Sequence, residues 1–203
     1  LRIYQDIRES VMMRSAAPGF NNPAQIPINW NLVNMLNTRY ILAQQKLDHP
    51  NLNTVLEGDQ LNVYENPAAL PRVWCVGQTK VIADKDARLD RLNDPSFNPA
   101  ETAILEKTLN AEIAAVDCQP EITRYEPNYI DIKTNAPQQT LLVLSEIYYP
   151  AGWKVFIDDQ LGEILKVNHI LRGVVLPAGE HTLHFKLEPK SYDISVAMMG
   201  GSI

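Results

Sequence analysis

The recurrence of apolar positions divides the chain into a mixed front part and a back part that alternates. From His181 to Glu188, Leu183, Phe185 and Leu187 share one side while Thr182, His184, Lys186 and Glu188 share the other, the period of two of a half-buried strand. Tyr129 to Lys133 and Trp153 to Asp158 follow the same pattern, and Leu141 to Ile147 is apolar enough to predict a central strand. Turn residues separate the runs at Asn135-Ala136-Pro137, Pro150-Ala151-Gly152, Asp158-Asp159-Gln160 and Pro177-Ala178-Gly179. Together they predict an antiparallel β-sandwich, jelly-roll-like, over residues 122–203.

Residues 1–121 read as a mixed α/β segment. Trp30, Val33, Met35, Leu36 and Tyr40 recur near helical spacing behind Pro27 and the N-cap candidate Asn29. Tyr40-Ile41-Leu42-Ala43, Leu61-Asn62-Val63-Tyr64 and Val73-Trp74-Cys75-Val76 read as strands, with Glu65-Asn66-Pro67 as a turn. The charged stretch from Asp84 to Pro99, broken at Asp94-Pro95 and Asn98-Pro99, reads as a loop or a short helical excursion. Ile104, Leu105, Leu109 and Ile113 then predict a helix from Ala100 to Ala115, with Pro99 at its first turn. The expected class is α+β, mostly β, with the 1–121 segment and the 122–203 sandwich as two units or packed as one.

Charge removes one class of partner. The 203 residues carry 18 Lys+Arg against 24 Asp+Glu, a formal charge of -6, and no basic block, so no nucleic acid is expected to bind. With 45% hydrophobic residues the chain can bury a core, yet its longest apolar runs, such as Leu141 to Leu144, fall far short of the roughly 20 residues a membrane-spanning helix needs. Leu1 follows no leader-like pattern and reads as a cut. Ser195 to Ile203 turns small and apolar, either the opening of a longer apolar segment or a frayed edge strand.

Candidate chemistry is sparse. His181 and His184, three apart on a predicted strand, point to opposite faces and cannot chelate together, and His49 and His169 are isolated, so no metal and no cofactor are expected. Cys75 and Cys118 lie on segments that could meet. In an oxidising compartment they could form a bridge worth on the order of 4 kcal/mol, although two buried thiols are the expected state. No nucleophile, zinc-hydrolase or phosphate-loop motif occurs, so no catalytic residue is assigned. Asp158-Asp159 reads as a hairpin turn rather than a catalytic pair of carboxylates. Tyr148-Tyr149-Pro150-Ala151-Gly152-Trp153 offers rings that could stack on sugars, against the plainer role of capping the end of a sandwich core.

Several short motifs, in order, resemble one family. They are Leu36-Asn37-Thr38-Arg39-Tyr40-Ile41, Val63-Tyr64-Glu65-Asn66-Pro67 with Leu70-Pro71-Arg72, and Tyr148-Tyr149-Pro150 with Gly152-Trp153-Lys154-Val155. Ile157-Asp158, Asn168, Arg172 and Leu176-Pro177-Ala178-Gly179-Glu180-His181 complete the set. The chain is similar over about residues 32–189 to the C-terminal extracytoplasmic region of bacterial YfhO-like membrane proteins, regarded as glycosyltransferases that use lipid-linked sugars. Where the family pattern leads one to expect Asp-Gly the chain has Asp158-Asp159, and Ala151 lengthens the Pro-Gly-Trp turn. The resemblance implies membrane helices before Leu1 and another after Ile203, and a location on the periplasmic or outer face of the membrane. The family's catalytic carboxylate is expected among early membrane helices, so none maps onto this chain. Two functions follow as expectations. In the first, the domain is non-catalytic and positions a cell-envelope glycan through Tyr148, Tyr149, Trp153, Asn168 and Arg172. In the second, it packs on its own membrane-embedded region or on a partner protein, binds no glycan, and Arg172 is structural, paired with Glu146 or Asp158.

Overall fold

In the computed structural model, which describes residues 5–6 and 29–188, the alternating runs pair into two large sheets. One has five strands in the order β11 (Gln160–Gly162), β10 (Trp153–Ile157), β14 (Gly179–Leu187), β8 (Tyr129–Ala136) and β7 (Glu121–Glu126). The other has six, in the order β4 (Val73–Val76), β9 (Thr140–Ile147), β13 (Leu171–Leu176), β12 (Leu165–Val167), β6 (Thr102–Leu105) and β5 (Gln78–Val81). β5 and β6 run parallel, and the other neighbours in these sheets are antiparallel. A small third sheet joins β1 (Tyr40–Ala43), β3 (Asn62–Glu65) and β2 (Asn53–Leu56). The expected class, α+β and mostly β, is what the structure shows. Three strands of the six-stranded sheet, β4, β5 and β6, come from before residue 122.

Two hydrophobic cores explain the layering. Val73, Ile130, Ile132, Leu142, Leu144, Val155, Val174, Leu183 and Phe185 pack between the large sheets. On the opposite face of the six-stranded sheet, Trp74, Val76, Leu141, Val143, Val167 and Leu171 pack with Leu32, Met35, Leu89, Leu92 and Phe97. The six-stranded sheet is therefore a middle layer, and β9 is buried on both sides, as its unbroken apolar run predicts. Hydroxyls hold β9 near its ends: Thr140 donates to the carbonyls of Val76 (3.1 Å) and Ala114 (2.9 Å), and Ser145 to that of Met35 (2.9 Å).

Helix α1 (Trp30–Met35) begins where Asn29 accepts the N–H of Leu32 at 2.9 Å. It ends where Asn37, at φ 55, takes the left-handed conformation, with Asn37 and Thr38 donating to the carbonyls of Asn34 and Val33. Of the two readings of Asp84 to Pro99, a loop or a short helical excursion, the structure contains the helix: α2 (Lys85–Asn93) is capped by Asp84 and buries Leu89 and Leu92. The helix expected over 100–115 does not form. Ala103, Ile104 and Leu105 are buried in β6, and Leu109 and Ile113 return to the same core from irregular chain. The spacing of four arose from two segments converging on one core, not from a helix.

Cys75 and Cys118 form a disulfide across a sequence separation of 43, which corrects the expectation of two thiols. The bridge joins β4, an edge of the six-stranded sheet, to the chain entering β7, an edge of the other. Asp158 and Asp159, at φ 48 and 68, form the two-residue turn of the β10–β11 hairpin, whose flanking residues Ile157 and Gln160 pair. The hairpin keeps its left-handed turn without glycine. Leu1, Pro27 and the apolar run 195–203 lie outside the described residues.

Candidate functional site

Residues 148–152 carry the chain from β9 in one sheet to β10 in the other. The crossing is pinned where the Tyr148 N–H donates to the Ile170 carbonyl (2.7 Å) and the Glu188 N–H to that of Gly152 (2.7 Å). Gly152 sits at φ 110, a conformation that favours glycine. This path leaves the Tyr149 side chain 40% exposed while Tyr148 and Trp153 are half-buried.

Trp153 packs on the core between the sheets. The Arg172 guanidinium lies 4.1 Å from the centroid of its ring, a cation–π stack within the protein. Arg172 is 4% exposed; its Nε donates to the Ile147 carbonyl at 3.1 Å, and Nη1 has no hydrogen-bond partner among the described residues. Burial pulls its pKa down, opposed by the nearby Glu146 carboxylate and Tyr125. The pairing of Arg172 with Glu146 or Asp158 is not what the structure contains. Glu146 is taken by Arg72 (2.7 Å) and the Tyr125 hydroxyl (2.5 Å), and Asp158 by His181 (2.5 Å) and the Thr182 N–H (2.9 Å).

Of the five residues selected from sequence, Tyr148, Tyr149 and Trp153 line one cavity of about 270 Å³, closed by Pro150, Leu161 and Ile164. Arg172 stands behind Trp153. Asn168 is elsewhere and fully buried, in the left-handed turn between β12 and β13. Its Oδ1 accepts the Ile104 N–H at 2.8 Å and its own N–H donates to the Ile104 carbonyl at 2.9 Å, so it ties the β12–β13 hairpin to β6.

A larger cavity of about 630 Å³ adjoins the first and shares Tyr148, Gly162, Glu163 and Ile164 with it. Its further lining runs from Leu105 to Ala111 on one side and includes Ile157, Leu165 and Lys166 on the other. The two form one trough along the sandwich edge bounded by β11, opposite the edge stapled by the disulfide. Leu161, 69% exposed, lies at its rim. Sequence reasoning missed Leu161, Lys107, Thr108 and Asn110, the last three because they fell inside the expected helix. An exposed leucine beside a hairpin turn was the one available signal.

Within the trough Glu106 is bonded by Lys166 and, at 2.6 Å, by Arg88. Burial pushes the Glu106 carboxyl up, but the Lys166 hydrogen bond and the two cationic charges outweigh it and hold it below the usual carboxylate range. Arg88, itself buried, also donates to the carbonyls of Ile82 and Ala83. The two cations keep Glu106 in its charged form, while the buried Arg88 Nε has no hydrogen-bond partner among the described residues.

His181 and His184 pair with different aspartates, Asp158 and Asp131, in keeping with opposite faces of β14. Asp158, aided by the Ala178 carbonyl 3.2 Å from Nε2, raises the His181 pKa. Among the described residues no cluster of three or more His, Cys, Asp or Glu could hold a metal ion, and no helix is long and apolar enough to cross a membrane.

Residues 91–198, just over half of the chain, match the model of a family described as bacterial membrane protein YfhO. The match spans both walls of the trough. No curated protein and no solved structure matches.

Proposed function

Because the chain belongs to the YfhO family of bacterial membrane proteins, we propose that it forms a non-catalytic, extracytoplasmic domain of a polytopic membrane protein and positions a cell-envelope glycan near the membrane. The parent would be a glycosyltransferase that uses lipid-linked sugars, with its chemistry outside this chain. The observation that carries the reading is the trough: Tyr148, Tyr149 and Trp153 gathered beside the exposed Leu161 at an open sandwich edge. Aromatic faces beside polar groups suit the apolar faces of sugar rings. The Cys75–Cys118 bridge supports an oxidising compartment, outside the cytoplasm.

Isothermal titration of the chain with soluble cell-envelope polysaccharide fragments tests this. Saturable binding is expected, lowered about tenfold or more by Tyr149→Ala with the thermal midpoint unchanged, as for an exposed stacking ring. Tyr149 is the cleaner probe, since Trp153 also carries the Arg172 stack. Absence of binding to every fragment would refute the reading.

One observation favours the second function, docking on the protein's own membrane-embedded region. On the small sheet Leu42 and Leu56 both pair with Val63 and are 62% and 56% exposed, with Tyr40, Val55 and Leu61 exposed nearby. Contiguous apolar exposure of this kind marks interaction surfaces. Loss of assembly on Leu42→Ser with Leu56→Ser, without any glycan binding, would select it.

A further inference from the structure

We infer that the trough seats an extended, uncharged saccharide chain of three or more units, with a second subsite made by Lys107, Thr108, Asn110, Glu163 and Lys166 beyond the aromatic one. The inference rests on the glycan reading and specifies the form of the ligand. Size is the first argument. Binding sites for small molecules run from about 300 to 1,000 Å³. The aromatic cavity alone, about 270 Å³, falls just below that range, whereas the adjoining 630 Å³ lies well inside it. Tyr148, Gly162, Glu163 and Ile164 line both, so an occupant of one can continue into the other without leaving the protein.

Charge is the second argument. Glu106 is held by Lys166 and Arg88, Lys154 by Glu188, and Lys107 and Glu163 carry opposite signs. The lining mixes both signs and offers no concentrated positive field, and the chain's net charge of -6 opposes a polyanion. The lining that remains is apolar, from Leu109, Ile157, Ile164, Leu165 and Val175, interrupted by hydroxyl and amide groups, which matches a sugar ring's alternating faces and edges.

Backbone supply is the third. No helix or strand forms between Leu105 and Glu121, and β11 is the last strand of its sheet, so peptide groups on both sides of the trough are free of a ladder. They can bond sugar hydroxyls. An added peptide strand is disfavoured because β11 offers only Gln160–Gly162 for pairing.

The test titrates the chain with linear neutral oligosaccharides of two to six hexose or N-acetylhexosamine units, and with oligogalacturonates of the same lengths. Affinity for the neutral series is expected to rise at least tenfold from two to five units. Asn110→Ala and Lys107→Ala, both at exposed positions, should each remove about three- to tenfold of the affinity for five units, the worth of a hydrogen bond or two, and leave two-unit binding unchanged. Tyr149→Ala should weaken every length. Equal affinity at all lengths, still lowered by Tyr149→Ala, would overturn the second subsite and leave the aromatic reading standing. Tighter binding of the galacturonates would overturn the uncharged ligand. Binding of neither series at any length would overturn the inference and count against the glycan reading with it.

Discussion

Breaking the Cys75–Cys118 bridge tests how much the sandwich depends on its stapled edge. The bond spans a sequence separation of 43, for which loop-closure entropy gives about 4 kcal/mol of stabilisation through the unfolded chain. Cys118 is fully buried and Cys75 packs beside the core between the sheets, so replacing both by alanine forfeits about 1 kcal/mol more in packing. In a chain of this size each kcal/mol lowers the midpoint by about 2–4 °C, so reduction should cost about 8–16 °C. Scanning calorimetry with and without reductant, beside the Cys75→Ala/Cys118→Ala variant, measures the change. Thiol alkylation of protein unfolded without reductant should add no label. Two labels per chain, or a shift of less than about 1 kcal/mol on reduction, would refute the reasoning that the bridge is closed and constrains the unfolded state.

Asp159→Gly should raise the unfolding free energy measured in urea by about 0.5–1 kcal/mol, because glycine adopts a left-handed turn position without the cost borne by an L side chain; an unchanged midpoint would mean the position carries no strain. For His181, Asp158 raises the pKa above 6.5, so its stabilisation is whole below 6.5 and fades as pH climbs through the raised value. Asp158, held below 3.8 chiefly by the Thr182 N–H and then by His181, contributes above 3.8 and loses its part as pH falls through the lowered value. The pair should therefore stabilise most between 3.8 and 6.5, by up to about 1 kcal/mol given its exposure, and His181→Gln should flatten the alkaline side of a melting-point profile. Arg172→Ala should destabilise by about 3 kcal/mol, and Arg172→Met, which fills the space without a buried charge, by less than about 1 kcal/mol. Equal denaturation midpoints for the two variants would show that packing behind Trp153 is not what Arg172 supplies.

The alternating strands were legible because one face of each must meet a core: the period of two over 181–188 is the period of burial at Leu183 and Phe185. Asn29 announced its helix through capping chemistry, which acts within three residues. Helix α2 stood only as one of two alternatives because its buried side includes Arg88, whose guanidinium reaches carbonyls and Glu106 instead of water, so the apolar stripe reads as broken. Residues 104–113 misled in the opposite sense, since convergence of irregular chain on a core can mimic helical spacing. The disulfide was legible as a possibility but not as an outcome, because pairing depends on two sheet edges meeting 43 residues apart in sequence. At the site, aromatic residues adjacent in sequence were found together. Asn168 was not, because its left-handed turn folds its amide onto Ile104. The second wall of the trough comes from 105–111, far from the aromatic cluster in sequence, and no local pattern could announce it.

Strand β9 gives its odd residues to one oily layer and its even ones to the other, so greasiness casts no vote on which way it should face. Sliding it by one position would trade Leu141 and Val143 for Leu142 and Leu144 at almost no cost in buried hydrocarbon. Directional bonds hold it still instead, among them the hydroxyls of Thr140 and Ser145, each anchored to backbone from another part of the chain, and the Tyr148 N–H on the Ile170 carbonyl. Two small polar atoms thus act as stops near either end of a slide, and the alignment of the central strand leans in part on them.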